Sequence, residues 1–111
     1  MNVQIQTVHF DADSKLLDHI NKRIAKLKTF SDSILGVEVY LKLDNITHQV
    51  KDKIAEIKVA VPKHSFFVKH ESKVFEESFD LAFDALVNQI KKRKEKLAIK
   101  NPSFTFEETE S

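Results

Sequence analysis

Few residues in this sequence are equipped for covalent chemistry, and many are equipped to attract anions. There is no cysteine, which excludes a thiol nucleophile, a disulfide and any cysteine-ligated zinc or iron–sulfur centre. Five histidines, His9, His19, His48, His64 and His70, fall at no metal-ligand spacing. One glycine, Gly36, cannot build a phosphate-cradling loop. The serines lie in no nucleophile motif. Glu76, Glu77, Asp80 and Asp84 are the one carboxylate cluster, with Asp80 and Asp84 a helical turn apart. Acids early in a helix and bases late in it complement the helix dipole, which explains this cluster without catalysis. No enzymatic activity, metal or cofactor is expected.

What remains is lysine and arginine. Lys91 to Lys100 holds six basic residues against Glu95 alone, and Lys15 to Lys28 holds five against Asp18 alone. The formal net charge of +1 conceals both runs, because Glu71 to Asp84 carries five acids against Lys73 alone. Glu107, Glu108 and Glu110 add to the acidic side. On a helix, Lys92 and Lys96 form a four-residue stripe with Asn88, while Lys91 and Lys94 flank the apolar side with stems long enough to reach out of it. Lys22, Arg23 and Lys26 lie opposite or beside an Ile20–Ile24–Leu27 stripe. One such run reads as a solvated helix end. Two runs on neighbouring helices make a cationic surface of the kind that binds phosphate backbones through counterion release. Tyr40 and Phe67 are placed on the outer sheet face, where they either stack on bases or pack the edge.

The elements that must position these residues follow from hydrophobic period. Val3, Ile5 and Thr7 alternate with glutamines as a strand. Asp13 or Ser14 caps a helix whose apolar residues Leu16, Leu17, Ile20, Ile24 and Leu27 recur at three and four, ending near Phe30. Val37, Val39, Leu41 and Leu43 predict a second strand, Ala55, Ile57, Val59 and Val61 a third, and Phe66, Val68 and His70 a fourth. A polar loop of about Asn45 to Asp52 and a hairpin connection at Pro62-Lys63-His64-Ser65 separate them. From near Ser72 to about Ala98, Phe75, Phe79, Ala82, Phe83, Leu86, Ile90 and Leu97 trace one face of a long helix, stopped before Pro102. The expected fold is α+β, a β-α-β-β-β-α two-layer sandwich with both helices covering one face of a four-stranded, mostly antiparallel sheet. Residues 1–98 form the domain and residues 99–111 an acidic, flexible tail, in which Phe104 and Phe106 offer an extra strand. No stretch has the apolar length of a membrane span or the pattern of a signal peptide, so a cytoplasmic location is expected.

The sequence then resembles a known family, the bacterial ribosome hibernation-promoting factors, also called ribosome-associated inhibitor or protein Y. The resemblance covers residues 1 to about 97. It is carried by Lys22-Arg23-Ile24-Ala25-Lys26-Leu27, by Val37-Glu38-Val39-Tyr40-Leu41-Lys42 and by Thr47-His48. Most specific is Phe79-Asp80, then Asp84-Ala85-Leu86, then Gln89-Ile90-Lys91-Lys92-Arg93-Lys94-Glu95-Lys96-Leu97. It implies packing akin to double-stranded RNA-binding domains. It also implies binding to the small (30S) subunit and 70S ribosomes, where the protein would occupy the mRNA and tRNA decoding channel under starvation or stress. Lys22, Arg23, Lys26, Lys42, Lys91, Lys92, Arg93, Lys94 and Lys96 would contact 16S rRNA. Of these, Arg23, Lys26, Lys42, Lys92, Lys94 and Lys96 match positions that are basic in the family. Asn88 departs from a position where arginine is common, and Lys73-Val74 replaces the usual aspartate before the second helix. Long members carry a second domain that pairs ribosomes; a sequence ending at 111 is not expected to do so alone. The alternative reading is a protein-interaction module of sigma-factor modulation type, using the acidic helix face and tail.

Overall fold

In the computed structural model the residues described are 1–8, 10–44 and 52–100. Their elements run β1 (Asn2–Val8), α1 (Ser14–Ala25), a short 3₁₀ helix (Lys26–Thr29), β2 (Gly36–Asp44), β3 (Asp52–Val61), β4 (His64–Ser72) and α2 (Phe75–Lys100). The expected β-α-β-β-β-α order and α+β class are what the chain adopts. The sheet is mixed, in the order β1-β2-β3-β4. β1 lies parallel to β2, as a strand–helix–strand crossover through α1 requires, and β2–β3 and β3–β4 are antiparallel.

Register places Val37, Val39 and Leu41 of β2 beside Val59, Ile57 and Ala55 of β3. All six are buried on the helix-covered face. Phe66 and Val68 extend that layer onto β4. From above, α1 contributes Ile20 and Ile24, the 3₁₀ turn Leu27, and α2 Phe75, Phe79, Ala82, Phe83, Leu86 and Ile90. Burying an aliphatic or aromatic side chain of this size contributes about 1.5–3 kcal/mol, so this single layer of contacts holds both helices to the sheet.

Local details refine the sequence reading. Asp13 is the cap of α1, its Oδ1 accepting the Leu16 N–H at 2.8 Å. The first helix becomes a 3₁₀ turn at Lys26 instead of running to Phe30 as α-helix. The second helix starts at Phe75, not Ser72. The Ser72 hydroxyl accepts the Val74 N–H at 3.1 Å, making a local turn, and the Val74 carbonyl accepts the first helical bond from Ser78 N at 3.0 Å. β4 begins two residues early, at His64, leaving a tight turn at Pro62 and Lys63, with Lys63 at φ 65°. Thr7 is exposed, so inward alternation in β1 stops at Ile5. The expected loop from Asn45, with its Thr47-His48 pair, and the expected tail strand at Phe104 and Phe106 lie outside the described residues.

Candidate nucleic-acid interface

α1 and α2 lie side by side, and polar residues fill the seam between them. The acidic first half of α2 faces α1. Asp80 Oδ1 lies 2.7 Å from His19 Nε2 and 3.5 Å from Arg23 Nε, and Asp84 Oδ1 accepts from Arg23 Nη2 at 3.3 Å. Arg23 also stacks its guanidinium over the Phe83 ring, 4.8 Å from the centroid. Of the four carboxylates in the sequence cluster, Asp80 and Asp84, with Glu76 at 4.0 Å from His19 Nδ1, therefore serve interhelical pairing as well as the dipole. Among the described residues no group of three His, Asp or Glu converges as a metal site.

Past Ile90 the described side chains of α2 leave the core and become cationic. At about 100° per residue the run fans around the helix. Lys91 and Lys94 face α1: Lys94 Nζ donates to the Phe30 carbonyl at 2.6 Å, and Lys91 Nζ sits 5.4 Å above the Phe30 ring. Lys92 and Lys96 are exposed. Arg93 and Lys96 share the flank of Gln89, whose amide donates to the Phe67 carbonyl of β4 at 3.5 Å. At the start of the 3₁₀ turn that follows α1, Lys26 is exposed at the seam, with Lys22 of α1 exposed one turn before it. An open groove between the helices is lined by Arg23, Lys26, Phe30, Phe83, Asp84, Val87, Asn88 and Lys91.

The structure thus brings Arg23, Lys26, Lys91 and Lys94 together around Phe30, with Lys22, Lys92, Arg93 and Lys96 at the margins of the same pole. Lys42 stands apart. It lies on the outer face of the sheet, bonded to Glu56 at 3.2 Å. On that face Phe67 is exposed, while Tyr40 is half-buried and donates its hydroxyl to Glu38 Oε1 at 2.8 Å. This bond, more than desolvation and the charges of Glu38 and Glu56, raises the Tyr40 phenol above its ordinary 10.0. Sequence reasoning missed His19, whose partners are 57 and 61 residues away in the chain, and Phe30, Val87 and Phe83 as groove lining. No local signal marks His19. Phe30 had one signal, an aromatic left over where the apolar stripe of α1 ends.

The model of the sigma 54 modulation protein / S30EA ribosomal protein family matches residues 3–98, the whole of the described fold up to the last turn of α2. The chain belongs to this family. Two Pseudomonas putida proteins named ribosome hibernation promoting factor, one from strain KT2440, are 26% identical to it over 96 residues, covering 86% of this chain and 89% of theirs. The crystal structure of the Thermus thermophilus Protein Y N-terminal domain superposes with a TM-score of 0.71 at 27% identity, covering 83% of this chain and 98% of that one. A ribosomal subunit interface protein from Coxiella burnetii gives a TM-score of 0.75 at 20% identity, covering 85% and 98%, which shows the shared fold. No helix in the described part of this S30EA-family chain is long and apolar enough to cross a membrane.

Proposed function

We propose that this chain is a ribosome-binding hibernation factor, a translation inhibitor and not an enzyme. In this reading it sits in the decoding channel of the small subunit, excludes mRNA and tRNA by occupancy, and acts in the cytoplasm under stress or in stationary phase. The observation that carries the reading is the cationic pole, where α1 and α2 converge around Phe30. Seven of the nine candidate cations have no carboxylate partner among the described ion pairs, Arg23 and Lys42 being the exceptions. A pole of ammonium and guanidinium groups without carboxylate partners, on two adjoining helices, suits ribosomal RNA phosphates, which it neutralises while releasing their counterions. Family membership and the names of the relatives support the ribosome as the source of that RNA. Lys22, Lys26, Lys91, Lys92, Arg93, Lys94 and Lys96 would contact 16S rRNA directly. Arg23 would exchange Asp84 for phosphate, and Lys42 would serve a separate contact on the outer sheet face. The acidic-face alternative is weaker, because Asp80, the least exposed acid of that face among the described ion pairs, is engaged by both His19 and Arg23 of α1.

The absence of native cysteine gives a direct test. A hydroxyl-radical probe tethered at Leu81→Cys, a 43% exposed position on α2, should cleave 16S rRNA around the decoding channel of 30S subunits. Cleavage confined to the solvent side of the subunit contradicts the proposed location.

A further inference from the structure

Phosphate binding leaves one property of the α1–α2 groove unused, its apolar floor. Phe83 is 5% exposed beneath the Arg23 guanidinium, Val87 is half-buried, and the half-buried Phe30 ring, packed against the core, has the Lys91 ammonium over it at 5.4 Å. Lys26 and Lys91 form the cationic end of the rim, Asp84 the opposite end, and the exposed Asn88 amide lies between. A double helix offers such a groove only phosphate and sugar, since its bases are stacked inside and its accessible edges lie in a shallow minor groove. An unpaired nucleotide offers a planar apolar face, a polar edge and a phosphate together.

We propose that this groove is a binding site for one unpaired RNA nucleotide, with its base against Phe30 and Val87 and its phosphate between Lys26 and Lys91. The inference rests on the rRNA-binding reading and narrows it to single-stranded segments. Base–aromatic contact suits a ring already faced by a cation, because the Lys91 stem is long enough to swing its ammonium from the ring to the incoming phosphate. Asn88 supplies both a donor and an acceptor for the base edge. Asp84 repels phosphate from its end of the groove and so sets the direction in which the nucleotide lies. Arg23 Nε is buried without a hydrogen-bond partner, its nearest carboxylate oxygen 3.5 Å away and out of line. This donor is shielded from solvent, which leaves the base edge to the exposed Asn88 amide.

The test compares binding of the full chain to an unstructured RNA oligonucleotide and to a duplex with the same number of phosphates. Phe30→Leu keeps an apolar side chain but removes the ring, and Asn88→Leu replaces the amide at an exposed helix position that carries no fold. Each should weaken the single strand about 5-fold or more and leave the duplex unchanged. An abasic nucleotide scanned along the oligonucleotide should reproduce the loss at one position. Equal affinity of the wild-type chain for both RNAs, or equal losses for both in the variants, overturns the nucleotide site while leaving general phosphate binding intact. Failure of the wild-type chain to bind either RNA removes the rRNA reading and the nucleotide site together.

Discussion

Asp80→Asn is the most informative single change in the interhelical seam. The carboxylate is 36% exposed and takes His19 at 2.7 Å and Arg23 at 3.5 Å. Exposed ion pairs contribute about 0.2–1 kcal/mol. Two partners and partial burial put Asp80 at the upper end, while the Arg23 contact adds little because it is out of line. The expected loss is about 1 kcal/mol, or about 4 °C in Tm for a domain of this size. Asp84 is 71% exposed with one contact at 3.3 Å, so Asp84→Asn should cost about 0.3 kcal/mol, near 1 °C. Glu77, exposed and without an ion pair among those described, supplies the control, and Glu77→Gln should cost only its helix-dipole contribution, about 0.3 kcal/mol, near 1 °C in Tm. Thermal unfolding followed by circular dichroism, combined in a double-mutant cycle of His19→Gln with Asp80→Asn, isolates the pair. Zero coupling between His19 and Asp80, or an equal loss in Glu77→Gln, refutes the claim that these acids hold the helices together. Affinity for RNA should rise in Asp80→Asn, since the groove loses a neighbouring negative charge.

Three further outcomes are expected. With seven unpaired cations at work, log affinity for single-stranded RNA should fall with log salt at a slope of about −5, or about a thousandfold for a fourfold rise in salt; neutralising Lys92 and Lys96 to alanine should flatten the slope to about −3.5, measured by fluorescence anisotropy. Ser78 is fully buried and donates to the Lys53 carbonyl at 2.6 Å, so Ser78→Ala should destabilise the fold by about 1–2 kcal/mol in urea melts without changing RNA affinity. Tyr40 is the sole tyrosine and there is no tryptophan, so tyrosinate absorbance reports it alone. Its folded-state pKa lies above the unfolded value, so its contribution to stability is present below the unfolded pKa near 10 and is lost as pH rises through the folded pKa; Glu38→Gln should lower the titration midpoint.

The parts of this fold that could be read from sequence are those with strong local period. The Ile20–Ile24–Leu27 stripe, the Phe75–Phe79–Phe83–Leu86–Ile90 stripe and the alternation in β2 and β3 each place their own residues correctly, because burial of one face dictates the spacing. A sequence reading starts α2 too early because Ser72 has the chemistry of a helix cap but closes a turn onto Val74 instead, and the two choices differ only in backbone dihedrals. The 3₁₀ ending of α1 is likewise invisible to a hydrophobic stripe, since Leu27 is buried in either form. Of the candidate site, the two basic runs were legible as composition. Their meeting at Phe30, the diversion of Arg23 to Asp80 and Asp84, and the separation of Lys42 on the opposite sheet face depend on helix rotation and strand direction, which residues 61 positions apart do not encode locally.

The central claim is that the cationic pole binds the ribosome. Sedimentation of the purified chain with 30S and 70S particles, at low and high salt, tests it most directly. The wild-type chain should travel with the particles at low salt and leave them at high salt, and the Lys92→Glu/Lys96→Glu variant, folded by circular dichroism, should stay at the top of the gradient. Co-sedimentation of that variant at the wild-type level would contradict the claim.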